Sequence, residues 1–157
     1  MSENISIGLE DNQRKQVVDG LSRVLANTFI LYTKTHGYHW NVTGPLFHSL
    51  HEMFEEQYTD LFEATDELAE RIRALGEMAP TGVKSFQSLS ELADDDTVPE
   101  AVTMVKNLVK DHETVIRHMR TVIAEAADLG DEGTADMLTA RMEEHEKAAW
   151  MLRSIAA

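Results

Sequence analysis

Apolar side chains recur at steps of three and four residues along most of the chain, and this periodicity restricts the fold more than any other feature. The first such segment contains Val17, Val18, Leu21, Val24, Leu25, Phe29 and Tyr32. This spacing places apolar side chains on one face of an α-helix. No segment shows the alternation that is typical of a β-strand. We therefore predict an all-α protein.

Turn signals divide the chain into four long helices. The predicted helices cover about residues 9–41, 46–75, 97–129 and 134–155. Pro45 fits the first turn of the second helix, Gly76 fits the position just after its end, and Thr97 fits the cap of the third helix. Residues 85–93 can form a short helix in the polar connection between the second and third long helices. Gly130 begins the last turn. The pattern predicts a four-helix bundle with one long connection.

Length and composition bound the class of protein. A chain of 157 residues suits a single domain over 1–157, with residues 1–8 as a flexible tail. The absence of cysteine excludes disulfides and thiolate metal sites. We see no signal peptide and no apolar stretch long enough to cross a membrane, so we expect a cytoplasmic protein. The net charge of −14 draws cations and repels nucleic acid and anionic lipid; solubility alone also explains such a charge.

Four potential metal ligands lie on one face of the second helix: His51, Glu55, Asp66 and Glu70. At 100° per residue, they fall at roughly 0°, 40°, 60° and 100° around the helix axis. Imidazole and carboxylate groups together suit a hard or borderline cation such as iron. However, His51 and Asp66 are separated by about 22 Å along a helix. One metal ion therefore cannot contact both within one chain.

The spacing of these ligands has an internal symmetry. The midpoint between His51 and Glu70 coincides with the midpoint between Glu55 and Asp66, near positions 60–61. A two-fold axis at that point would bring His51 close to Glu70 of a second copy, and Glu55 close to its Asp66. The alternative is a solvated acidic face that happens to carry a histidine.

The turn between the first two helices carries a distinctive motif. Residues 34–56 have the sequence KTHGYHWNVTGPLFHSLHEMFEE, which contains H-W-N-x-x-G and a second histidine twelve residues after the first. Residues 66–71, DELAER, add D-x-x-x-E. These motifs, the helix lengths and the 130–138 turn resemble the Dps family of mini-ferritins, and the resemblance covers nearly the whole chain.

The resemblance implies a ferritin-like bundle that assembles into a hollow homo-dodecamer. Members oxidise ferrous iron, preferably with hydrogen peroxide, and store the ferric product inside, which protects the cell from oxidative damage. By position, His39 and His51 would come from one subunit, and Asp66 and Glu70 from its two-fold neighbour. Glu55 stands where many members have aspartate. Dioxygen stays open as the oxidant, and zinc stays open as a competing occupant of the site.

Three residues near the motif have two interpretations each. Trp40 can intercept stray oxidising equivalents or simply pack at the first turn. His36 and His48 can orient a ligand or a bound water, or be ordinary polar histidines.

Two acidic groups suggest a path for cations. Asp131, Glu132 and Asp136 occupy a turn that resembles the family's three-fold pore, and would funnel ferrous iron inward. Capping of the last helix is the structural alternative and can coexist with that role. Glu52 and Glu56 would face the cavity and nucleate mineral.

Other functions can be compared with this one. No histidine is preceded by glutamate at the third position, so the Glu-x-x-His pairs of an intrachain di-iron site are absent. For His112, His118 and His145 we expect surface or hydrogen-bonded core positions. The rival function is a nucleoid-associated DNA binder. Many Dps relatives bind DNA through a lysine-rich tail, whereas residues 1–10 contain no Lys or Arg. With a net charge of −14, direct DNA binding is not expected.

Overall fold

The computed structural model of the protein describes residues 4–157. These residues form five helices and no β-strand: α1 (Asp11–Asn41), α2 (Phe47–Ala74), α3 (Val83–Leu89), α4 (Ala101–Asp128) and α5 (Glu132–Ala156). The pairs α1–α2 and α4–α5 make the main helix contacts, and α3 packs on α1 within the long connection. This confirms the predicted bundle with its extra short helix. No helix in the described range is long and apolar enough to span a lipid bilayer.

The helix periodicity explains which face of α2 is buried. Its core positions recur at steps of three, four and seven residues, and are Leu50, Phe54, Leu61, Ala64, Leu68 and Ile72. Burying each of the larger side chains contributes about 1.5–3 kcal/mol. The side chains between them point away from the bundle, which leaves a continuous polar and aromatic face on the outside of α2.

Of the residues predicted to mark helix boundaries, Gly76 is placed correctly and Pro45 and Thr97 are not. Gly76 follows α2 with a φ of 91°, as expected for the residue after a helix end. The prediction for Pro45 was wrong, because α2 begins at Phe47. The prediction for Thr97 was also wrong: its backbone N–H and hydroxyl bind Asp95, at 2.9 and 2.6 Å, and the helix begins four residues later.

The beginning of the chain lies against the end of α2. A Cβ atom on Gly76 would come within 2.5 Å of the end of the Ile5 side chain, so the two residues are in close contact. Arg14 fixes the same corner, since its Nε donates to the Leu75 carbonyl at 3.1 Å. Residues 1–3 of the predicted flexible tail lie outside the described residues.

Polar contacts in the bundle interior position α4 against α1. The Lys34 ammonium donates to the Asp111 carboxylate at 2.6 Å, and both side chains are almost completely buried. One turn further along α1, the Tyr38 hydroxyl donates to Asp95 and accepts from Asn107. These bonds tie the end of the long connection to α1 next to the α1–α2 turn.

Candidate metal centre

Two histidines meet where α1 ends and α2 begins. The Nδ1 atom of His39 lies 2.7 Å from the backbone oxygen of His51. The Nδ1 atom of His51 lies 2.8 Å from the backbone oxygen of His39. Their rings are stacked, with centroids 3.8 Å apart and planes 15° apart. Each histidine therefore fixes the orientation of the other.

These hydrogen bonds determine which nitrogen carries the proton. A carbonyl oxygen only accepts, so Nδ1 of each ring must be the donor. In the neutral form, this leaves a lone pair on Nε2 of both His39 and His51. A backbone oxygen on the far nitrogen is the usual support of a metal-binding histidine, because it fixes the tautomer and raises the basicity of the free nitrogen. The two rings therefore present a matched pair of free nitrogen lone pairs.

The end of α1 makes this arrangement available. The last carbonyls of a helix have no partner within the helix, and His39 lies in the last turn of α1. Its oxygen is therefore free to accept from His51. Gly44 adopts a φ of 100° in the short turn that follows, a conformation that favours glycine. Val42 is buried under the same turn and anchors it to the core.

The three carboxylates of the predicted stripe lie on the outer face of α2. Glu55, Asp66 and Glu70 are all exposed, while His51 is partly buried. Within residues 4–157 of a single chain, no group of three or more histidine, aspartate or glutamate side chains is placed to hold a metal ion. The two histidines and the carboxylates Asp66 and Glu70 are thus separated along α2, as the helix arithmetic requires.

An aromatic cluster surrounds the histidine pair. His36 stacks on Tyr58, with centroids 3.8 Å apart, and its Nδ1 lies 3.2 Å from the Tyr32 hydroxyl. Trp40 covers the other side of His36, at 4.2 Å between centroids, and remains 65% exposed. Burial, with a smaller effect of His39, lowers the pKa of His36, so its neutral form is favoured beside the pair.

The sequence interpretation missed Tyr58. Its ring meets His39 edge-on at 5.1 Å and stacks on His36 at 3.8 Å, so it contacts both histidines. The available signal was its position seven residues after His51, which places both side chains on one face of α2.

His48 lies away from the histidine pair. Its side chain is 81% exposed, and its Nε2 lies 3.5 Å from the Glu52 carboxylate one turn further along α2. Glu52 and Glu56 are exposed and line an open acidic groove of about 640 Å³. The same groove includes Glu55 and Asp60, so the residues predicted to nucleate mineral adjoin one of the predicted ligands.

The chain was compared with known proteins. The family model of the ferritin-like domain matches residues 18–157. An uncharacterized low temperature-induced protein of Nostoc is 47% identical over 152 residues, which cover 96% of this chain and 85% of that protein. DNA protection during starvation protein 2 of Bacillus anthracis is 38% identical over 140 residues, which cover 89% of this chain and 96% of that protein. The crystal structure of the Dps protein from Vibrio cholerae O1 matches with a TM-score of 0.93 and 32% identity, over 100% of this chain and 98% of that one.

The chain belongs to the Dps family. The Vibrio protein is described as a member of a broad superfamily of ferritin-like diiron-carboxylate proteins, and this Dps-family chain shares that superfamily. The resemblance inferred from the H-W-N-x-x-G motif is thereby confirmed.

The acidic turn before α5 is divided between two environments. Asp131 is buried, accepts from the Thr134 backbone N–H at 3.0 Å, and binds Arg71 at 2.7 Å. Its carboxylate therefore caps α5 and joins α5 to α2. Glu132 and Asp136 are exposed. Of the three residues predicted to line a pore, these two have carboxylates that a passing cation could meet.

Two of the three remaining histidines occupy the bundle interior. His112 and His145 are each 1% exposed, and neither has a partner for Nε2 within the described part of the chain. Both therefore occupy the core and are hydrogen-bonded there through Nδ1, as one of the two expected positions requires, while Nε2 of each has no partner among the described residues. The His118 side chain is 10% exposed, with Nδ1 3.3 Å from the Glu91 carboxylate. The signal for burial was visible for His112, which lies in register with the apolar positions Leu108 and Val115 of α4.

Proposed function

We propose that this Dps-family protein oxidises ferrous iron at sites shared by two-fold-related subunits and stores the ferric product inside a hollow dodecamer. One observation carries the proposal. His39 and His51 present two free Nε2 lone pairs at the α1–α2 turn, and Asp66 and Glu70, which could complete their coordination, lie on the same helix but out of reach. A second copy of the chain supplies the missing carboxylates.

The symmetry of α2 supports that arrangement. An axis near the middle of α2 pairs His51 with Glu70 of the partner subunit and Glu55 with the partner's Asp66. The outer face of α2 also carries Phe62, which is 59% exposed, and Trp40 flanks it from α1. Large exposed aromatic side chains on one face are typical of a protein contact surface. The face that would bury them is the face that carries the ligands.

The ligand set suits the oxidation of ferrous iron. Carboxylates bind both ferrous and ferric iron, and neutral imidazoles add affinity without adding negative charge. Two ferrous ions at one site each lose one electron, and the O–O bond of hydrogen peroxide takes both as it breaks. Water supplies the remaining oxygen of the ferric oxyhydroxide product, and four protons are released for each pair of ions. Because both electrons are delivered together, no hydroxyl radical is set free.

Negative charge elsewhere would guide the substrate. Glu132 and Asp136 are exposed in the first two turns of α5, where they would attract ferrous iron toward a pore. Glu52 and Glu56 line the groove beside Glu55, where ferric ions could collect as mineral. The net charge of −14 favours cations over the whole particle.

The test measures the iron content and the molecular mass of the protein particle in the same experiment. Ferrous iron and peroxide are added, and the products are separated by size exclusion with iron measured in each fraction. We expect many iron atoms per subunit to elute with a particle of twelve 17.7 kDa chains. A dimer that holds only a stoichiometric amount of metal, or iron that precipitates away from the protein, contradicts storage.

A matched pair of variants tests the site itself. Glu70→Ala removes a predicted ligand, whereas Glu67→Ala removes an equally exposed carboxylate one turn away on α2. We expect Glu70→Ala to lose rapid iron oxidation while Glu67→Ala retains it. Equal activity in the two variants would exclude Glu70 as a ligand.

A further inference from the structure

The two buried histidines form a direct link between α4 and α5. Nδ1 of His112 lies 3.0 Å from Nδ1 of His145, and the two ring centroids are 5.1 Å apart. The residues are 33 positions apart in sequence, and both rings are almost completely inside the bundle. Neither residue belongs to the proposed iron site.

This hydrogen bond allows only one proton between the two rings. One Nδ1 must donate and the other must accept, so at least one ring has to be neutral. The opposite nitrogens, Nε2 of His112 and Nε2 of His145, have no partner among the described residues. A proton added at either Nε2 is therefore not held by a hydrogen bond to a described residue.

The charged groups around the pair do not compensate for a positive charge. Arg141 on α5 adds a further positive charge close to both rings. From α2, Asp60 is engaged by the Arg141 guanidinium, and from α4 and α1, Asp111 is engaged by Lys34. Burial, followed by the effect of Arg141, lowers the pKa of His112 to about 3. Burial, followed by His112 and Arg141, also lowers the pKa of His145 well below its usual range.

We propose that the His112–His145 pair makes the α4–α5 contact acid-labile. When both rings are protonated, their hydrogen bond is lost and two positive charges face each other inside the bundle, beside Arg141. The favoured response is the separation of α5 from α4, which hydrates both rings. This concerns the bundle itself and does not depend on the iron chemistry.

The direction of the pH effect follows from the two protonation states. The pKa of an unfolded histidine is about 6.5, and the folded bundle holds both rings neutral below that pH. The stabilising effect of the neutral pair is therefore fully present above about pH 6.5 and is lost as the pH falls below it. As the pH falls below 6.5, each histidine raises the unfolding constant by up to about tenfold for every pH unit. The two histidines together raise it by up to about 100-fold for every pH unit.

The test is urea unfolding from pH 7.5 to pH 5. The double variant His112→Leu/His145→Leu removes both polar rings at once, so that neither partner is left unpaired. His48→Gln, at a position that is 81% exposed, is the matched control. We expect the unfolding constant of the wild type and the control to rise steeply as the pH falls below about 6.5. For each pH unit, the rise in the double variant should be smaller than in the wild type by a factor of up to about 100. An unchanged slope in the double variant would overturn the proposal.

A second measurement uses the wild-type assembly and needs no variant. The exchange rate of each imidazole C2 proton, followed by mass spectrometry across pH, gives the protonation of individual histidines in the folded protein. We expect His112 and His145 to remain neutral down to pH 5. Titration of either buried ring near pH 6.5 with the bundle intact would also overturn the proposal.

Discussion

His39 and His51 each donate a ring proton to the backbone oxygen of the other, at 2.7 and 2.8 Å. The same bonds join the last turn of α1 to the first turns of α2, so the corner of the bundle and the proposed metal ligands are built from one pair of side chains. Any substitution here acts on two properties, the stability of the corner and the availability of Nε2. Substitution of His51 by asparagine or glutamine can separate these two properties.

Asparagine and glutamine at position 51 are expected to have opposite effects. The Asn amide nitrogen can replace Nδ1 and keep the bond to the His39 carbonyl, but it offers no group at the Nε2 position. We expect His51→Asn to stay within about 1 kcal/mol of the wild type in urea unfolding and to oxidise iron about 10-fold more slowly or worse. His51→Gln should instead lose about 1–2 kcal/mol of stability and retain more activity. If His51→Gln proved the more stable variant and His51→Asn the more active one, the hydrogen bond to the His39 carbonyl would not be what positions the ring.

Mixing two inactive variants should restore activity. His51→Ala removes a ligand from one half of the shared site, and Glu70→Ala removes a ligand from the other half. In a two-fold dimer made of one copy of each, one site has lost both ligands and the other is intact. Random assembly of equal amounts should therefore recover about a quarter of the wild-type sites. The measurement is the initial rate of iron oxidation after the variants are dissociated together and reassembled.

The control for this experiment is a mixture of variants on the same half of the site. A mixture of His39→Ala and His51→Ala contains no intact site in any combination of subunits. The initial rate of iron oxidation by this mixture should therefore stay at background. If the first mixture also stays at background although mixed particles form, the ligands do not come from two subunits.

The sequence was sufficient for the helices and for the face of α2 on which His51, Glu55, Asp66 and Glu70 lie, because both follow from a period of about 3.6 residues. The alignment of His39 with His51 could not be predicted in this way. It depends on the path of residues 42–46 and on a carbonyl at the end of α1 that happens to lack a partner. The contact between His112 and His145 was also out of reach, since it depends on the register of α4 against α5.

The acidic turn shows a different limit of sequence analysis. Asp131 and Glu132 are neighbours with the same charge, and composition cannot tell them apart. Only the fold separates the buried cap from the exposed carboxylate, because Arg71 on α2 reaches the first and not the second. The structural alternative considered for this turn, capping of the last helix, is thereby confirmed for Asp131.

Substitutions in this turn should therefore separate stability from iron uptake. Asp131→Ala removes the cap of α5 and leaves the guanidinium of Arg71 without its carboxylate, which should cost about 2–3 kcal/mol. Glu132→Gln should change the unfolding free energy by less than about 0.5 kcal/mol and slow the uptake of ferrous iron. Thermal unfolding and stopped-flow oxidation measure the two effects. A destabilised Glu132→Gln variant with normal uptake would contradict the assignment of this residue to a cation path.

Charge makes a further prediction about nucleic acid. The Bacillus anthracis relative is named for DNA protection, but this chain carries a net charge of −14. Binding to the DNA backbone gains its free energy from lysine and arginine side chains that release counterions, and an acidic surface opposes that gain. We therefore expect no complex in a gel-shift experiment at about 150 mM salt with protein below about 1 μM and without divalent ions.

The salt dependence decides how any observed binding is interpreted. Retention of DNA at nanomolar protein, weakening steeply as salt is raised, would reveal a basic surface that outweighs the net charge and would favour the nucleoid function. Retention that depends on added magnesium would instead mean that the cation bridges two acidic partners. In that case removal of the magnesium by a chelator should release the DNA, whereas direct binding through basic side chains should survive the chelator, because it needs no bridging cation.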